Sequence, residues 1–138
     1  MKRTKNSGFS LVELIIVVAI MAVLTAVLAP TYIKYVEKTR AVKDEEYADD
    51  IRRTCEAVVS DPDEKLETGS YLITITPSNS ISIYSPDTDE GVTHIDTYLK
   101  QVLGNDYADY RIQCKSYSKI EVKFSNTTSP SCSVQYTK

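Results

Sequence analysis

From Leu14 to Ala29 the chain holds sixteen residues of which only Thr25 has a polar side chain. As a helix rising 1.5 Å per residue this run is about 24 Å long. The hydrocarbon core of a bilayer is about 30 Å thick, so the run alone is a short span. Adding Phe9 to Val12 makes it long enough, but then Glu13 lies inside the span. An acidic side chain at the centre of a membrane helix costs about 2.5–3.5 kcal/mol on insertion scales. A plain anchor would gain from any apolar residue at position 13. Glu13 therefore implies a partner that the protein acquires in another state.

The flanks narrow the reading. Lys2, Arg3 and Lys5 precede the run, a charge bias that holds a short leader on the cytoplasmic side. A basic start followed by an apolar run is read either as a secretory signal peptide or as a membrane anchor. The signal reading fits poorly. Val27-Leu28-Ala29 offers small-residue spacing, but Pro30 would follow the cut, and a cut after Ala26 has the bulky Leu24 two residues earlier. The anchor reading places the chain after Pro30 on the far side of the membrane.

Five features coincide here: a short basic leader, Gly8, Phe9, Glu13 four residues on, and the apolar stretch. Gly8-Phe9-Ser10-Leu11-Val12-Glu13 in this setting resembles the class III signal of type IV pilins and the related pseudopilins. Pro30 also fits that family. The resemblance implies cleavage between Gly8 and Phe9 by a prepilin peptidase and N-methylation of Phe9. It implies a single-pass protein of the cytoplasmic membrane that polymerises with itself and other pilins, through assembly machinery in the membrane, into a cell-surface filament. Adhesion, motility and biofilm formation are the uses of such a pilus. The alternative within the family is a pseudopilin of a type II secretion or competence (DNA-uptake) system.

That processing supplies the missing partner, a cationic α-amine at Phe9. Glu13 of one subunit then pairs with the Phe9 amine of a neighbour, or with its own one helical turn away. Two unit charges 4 Å apart interact by about 4 kcal/mol at an effective dielectric of 20. This roughly offsets the insertion cost. The pair then contributes register more than net stability, because an unpaired Glu13 in an apolar bundle is penalised.

Beyond Pro30, where a proline predicts a kink or local melting near Ala26–Pro30, the pattern becomes amphipathic. Ala41, Ala48, Ile51, Cys55 and Val58 recur at helical spacing, with Val59 adjacent, while Lys38, Arg40, Lys43, Asp44, Glu45 and Glu46 fall on the other faces. Asp61-Pro62-Asp63 ends the helix near Ser60. Residues 71–76 and 81–85 alternate as two strands of a hairpin. Thr93–Leu103 reads as a short helix with Ile95, Leu99, Val102 and Leu103 inward and Gly104-Asn105 as its stop. Tyr110–Ser116, Lys119–Ser125 and Cys132–Tyr136 read as three more strands. The expected architecture is α+β: a long N-terminal helix whose second half packs on a small antiparallel head. The expected division is a leader at 1–8, a transmembrane and polymerisation helix at 9–30, and a head at 31–138.

Little else in the chain points to chemistry. Three cysteines, Cys55, Cys114 and Cys132, allow three pairings or free thiols. The family resemblance makes Cys114–Cys132 the analogical disulfide, and the absence of Cys-x-x-Cys spacing argues against a thiolate metal site. Asp87, Asp89, Glu90 and Asp96 lack an EF-hand pattern. His94 has no catalytic partner in any motif, and Asn126-Thr127-Thr128 is a weak glycosylation sequon. No enzyme, metal or cofactor is expected. The net charge is −3 and becomes −6 without the first eight residues, which disfavours nucleic acid as a partner. Ten acidic and three basic residues lie between Asp44 and Glu67, against five basic and one acidic from Tyr110 onward. Arg111, Lys115, Lys119 and Lys123 share one strand parity, so a basic outer sheet face meeting a neighbour's acidic helix is one expectation, and a solvated face the other.

Overall fold

A computed structural model describes residues 9–61 and 66–138. The chain divides into two units between Val36 and Glu37. Helix α1 (Leu11–Ser60) runs through Pro30 without a break, so the expected local melting is absent.

In the first unit α1 is apolar on every side. The large apolar side chains from Phe9 to Leu28 are all at least 41% exposed. A helix apolar all round has no single face to offer a core. This is the one helix among the described residues long and apolar enough to cross a membrane.

In the second unit the helix becomes one-sided. Asp44, Ala48, Ile51, Cys55 and Val58 are buried at spacings of four and three, the stripe that faces a sheet. That sheet contains β1 (Gly69–Ile75), β2 (Ser82–Tyr84), β3 (Lys119–Asn126) and β4 (Ser131–Thr137) in the order β2-β1-β3-β4, all antiparallel. The registers Tyr71↔Phe124, Ile73↔Val122 and Ile75↔Ile120 bring one buried row of β1 beside one buried row of β3. The Tyr71 and Phe124 rings stack with centroids 4.9 Å apart. The opposite face is mostly polar, with Ser70, Thr74, Lys119, Glu121, Lys123 and Ser125 beside Leu72 and Tyr84, as on a half-solvated sheet.

Helix α2 (Asp89–Leu103) connects β2 toward β3. Thr88 caps it, its hydroxyl accepting from Gly91 N at 3.1 Å, and Asp89 and Glu90 occupy the first turn, the favourable end for acidic side chains. It stops at Gly104, whose φ of 98° suits glycine. Ile95 and Leu99 are buried and Leu103 partly so, but Val102, expected inward, is 54% exposed. A spacing of four keeps 95, 99 and 103 on one side, and Val102 falls off that line.

The strand expected at Tyr110–Ser116 does not form. A short 3₁₀ helix, η1 (Asn105–Asp109), is followed by irregular chain up to β3. Burial alternates there as in a strand: Ile112 and Cys114 are buried, whereas Arg111, Gln113 and Lys115 are exposed. Several of the segment's backbone donors go to carboxylates of α1 instead of to a neighbouring strand.

Candidate functional site

At the helix start Ser10 occupies the cap position and Glu13 the third helical position. Glu13 Oε2 accepts from Ser10 N at 2.9 Å, and Ser10 O accepts from Leu14 N at 3.2 Å. This is the reciprocal half of a capping box, in which a carboxylate reaches back to the cap residue's own amide. The Ser-x-x-Glu spacing carries it in the sequence, and it gives Glu13 a role within its own chain besides charge pairing. Phe9 is 83% exposed beside it. Gly8 and the leader 1–8 lie outside the described residues.

The buried polar centre of the head is Asp44, which the sequence places on a solvated face. It is 0% exposed. Its stripe position, four before Ala48, was the available signal. Oδ1 accepts from Tyr110 Oη at 2.6 Å and from Gln113 N at 3.0 Å; Oδ2 accepts from Cys114 N at 2.8 Å and Gln113 N at 3.1 Å. Burial pushes the Asp44 carboxyl up, but the hydrogen bonds from Tyr110, Cys114 and Gln113 together outweigh it, and the group lies below its usual value. Burial, then the Asp44 contact, raises Tyr110.

Two more acids of α1 hold the same segment. Glu37, seven residues before Asp44 and on the same face, accepts from Lys115 N, and Glu45 accepts from Tyr117 Oη. The Tyr47 ring stacks on Tyr110 at 3.7 Å, and its hydroxyl donates to Tyr107 O at 2.8 Å. Together these contacts form a clamp by which α1 fixes residues 107–117. They explain why part of the acidic excess of α1 serves the chain's own fold.

The remaining sequence candidates do not converge. Asp87 accepts from Ser70 N at 2.9 Å, and Asp96 accepts from Lys100 Nζ and Tyr107 Oη, both at 2.5 Å. Among the described residues no three His, Cys, Asp or Glu side chains group as metal ligands. His94 is exposed on α2. Of the four basic residues, only Lys119 and Lys123 stand on a strand. Both bridge Glu121, at 2.6 and 3.4 Å, so one carboxylate offsets half of their charge.

All three cysteines are free thiols, so the analogical Cys114–Cys132 disulfide is not formed. The reason is position along α1. Cys114 sits against Asp44, whereas Cys132 Sγ lies 3.8 Å from the Arg52 carbonyl oxygen, eight residues further along α1. Eight helical residues span about 12 Å, beyond the reach of a disulfide.

Residues 3–29 match the prokaryotic N-terminal methylation motif. The chain is 28% identical over 123 residues to a protein of Clostridium perfringens (strain 13 / Type A) named prepilin peptidase-dependent protein A. That alignment covers 88% of this chain and 86% of the relative. No solved structure matches. The chain carries an N-terminal methylation motif, the class III signal peptide, on a pilin-like α+β fold.

Proposed function

We propose that the chain is the structural subunit of a type IV pilus. Prepilin peptidase cuts between Gly8 and Phe9, Phe9 is N-methylated, and the processed chain polymerises through its N-terminal helix. The domain plan that goes with this reading is a leader at 1–8, a membrane and polymerisation helix at 9–30 and an exported head at 31–138. Pro30, which leaves the Ala26 carbonyl without its helical donor, is where that helix bends.

The observation that carries the proposal is an all-round exposed apolar helix with one acid at its start. Lipid covers such a surface before assembly, and copies of the same helix cover it afterwards. Cleavage turns Phe9 into an amine beside Glu13. The carboxylate then exchanges its own Ser10 amide for the amine of a neighbouring subunit and thereby sets register.

Glu13→Gln and Glu13→Leu separate capping from pairing. Glutamine retains an acceptor for Ser10 N but removes the charge; leucine removes both. Both variants should enter the membrane as well as the unaltered chain or better, and both should lose surface filaments detected with an antibody to the head. Filaments formed at the normal level by Glu13→Gln would show that the acid acts as a cap and not as a charge partner. Normal membrane insertion and processing without any surface filament in the unaltered chain would favour a pseudopilin.

A further inference from the structure

We propose that Cys55 and Cys132 are the redox pair of the head and close to a disulfide that staples β4 to α1. Both line one cavity of about 310 Å³, together with Val59, Phe124 and Pro130. Cys55 is on the buried stripe of α1 and is 1% exposed; Cys132 is half-buried on β4, opposite Phe124 in register. The Cys132 sulfur lies 3.8 Å from the Arg52 carbonyl. Helical side chains lean toward the N-terminus, so residue 55 covers the turn that begins at Arg52. The two thiols therefore lie at the same turn of α1 and face one cavity. Cys114 is excluded by its seat against Asp44, eleven residues before Cys55 and about 16 Å away along the helix.

The staple meets a need of the fold. Among the described residues β4 is an edge strand, paired with β3 alone, so one row of its backbone groups has no neighbouring strand to hold it. A bond from Cys132 to α1 fixes it to the element that runs the length of the core.

The chemistry requires an external small-molecule disulfide as oxidant. The Cys132 thiolate attacks it, one thiol leaves, and a mixed disulfide remains on Cys132. Cys55 then loses its proton, attacks the Cys132 sulfur and displaces the second thiol. Two electrons and two protons leave the protein, and the oxidant ends as two thiols. Burial pushes the Cys132 thiol up to about 11, so uncatalysed exchange is slow at neutral pH and is run at about pH 9.

An oxidising setting for the reaction in the cell rests on the exported head proposed above; the pairing itself does not. The full chain in detergent, treated with glutathione disulfide, alkylated and mapped by mass spectrometry, should lose two of its three thiols. It should yield one linked peptide, Cys55 to Cys132, with Cys114 alkylated. Cys132→Ser should leave both remaining thiols alkylatable, and Cys114→Ala should leave the linked peptide unchanged. Glutathione retained on Cys132, a linked peptide containing Cys114, or three alkylated thiols would overturn the pairing. A link formed in detergent but absent from protein taken from cells supports the pairing and contradicts the exported head.

Discussion

Replacing Asp44 with asparagine tests whether one buried carboxylate organises the segment between α2 and β3. The carboxylate receives three donors from residues 110–114 through four contacts of 2.6–3.1 Å. A hydrogen bond to a charged group contributes about 1.5–3 kcal/mol. Asparagine keeps the shape and one acceptor oxygen. With that oxygen toward Gln113 and Cys114, its amide faces Tyr110 Oη, which can turn to accept. The loss is then mainly charge assistance at three bonds, about 2–3 kcal/mol in total. In a domain of about 100 residues each kcal/mol moves Tm by about 4–8 °C. The full chain in detergent, followed by circular dichroism, should melt at least about 8 °C lower. Tyr110→Phe alone should cost about 1.5–3 kcal/mol, and the double variant should show coupling above about 0.5 kcal/mol. The sign of the pH dependence follows from the depressed carboxyl. The unfolded group titrates at 3.8 and the folded group below it, so the unfolded chain binds more protons between the two values. The contribution is complete above 3.8 and is lost as pH falls through the folded value. Asp44→Asn should therefore flatten the acid limb of stability below about pH 4 and change nothing in its slope at neutral pH. A Tm drop under about 4 °C, or an unchanged acid limb, would refute the clamp.

Gly91→Ala should destabilise the head by about 1–3 kcal/mol in the same melt. An added Cβ meets Cε1 and Cζ of Tyr71 at 2.8 Å, and that ring is held by Phe124 and by its hydroxyl bond to Glu67 O; a melt unchanged within about 2 °C would show that the ring can move. The tyrosines supply an alkaline limb. Burial and the Asp50 charge push Tyr47 up to about 12, and the Glu45 bond and burial push Tyr117 up to about 12, from 10.0 in the unfolded chain. The folded chain therefore holds protons that the unfolded chain releases, and stability should fall as pH rises from 10 toward 12. Absorbance titration should show a late group of tyrosinates in folded protein that merges with the others in denaturant; a single transition at the ordinary value in both would contradict this.

The parts legible in the sequence are those written in apolar periodicity. The run from Leu14 to Ala29, the stripe Ala48–Ile51–Cys55–Val58 and the alternation in β1 and β3 follow from side-chain spacing alone, and the Gly104 stop from glycine's freedom at positive φ. The parts that stayed hidden depend on polar atoms finding partners distant in sequence. Asp44 has the composition of a surface residue, and only three donors arriving from residues 110–114 make its burial affordable. For the same reason Tyr110–Ser116 imitates a strand: its alternation is real, but the amides of Gln113, Cys114 and Lys115 bond to carboxylates on α1. Strand order was hidden because β1 pairs with β3 across the whole of α2, a choice that no local pattern encodes. At the N-terminus the Gly8–Glu13 motif was legible by resemblance, whereas the capping role of Glu13, though its Ser-x-x-Glu spacing is in the sequence, emerged only from the Ser10 contact.

The mass of the mature N-terminus tests the central claim most directly. Protein extracted from the membrane or from filaments should begin at Phe9, lacking Met1–Gly8, and carry one added methyl group on its α-amine. An intact Met1 would leave Glu13 without an amine at Phe9, and a new N-terminus near Ala29 would remove Glu13 itself; either would contradict the account.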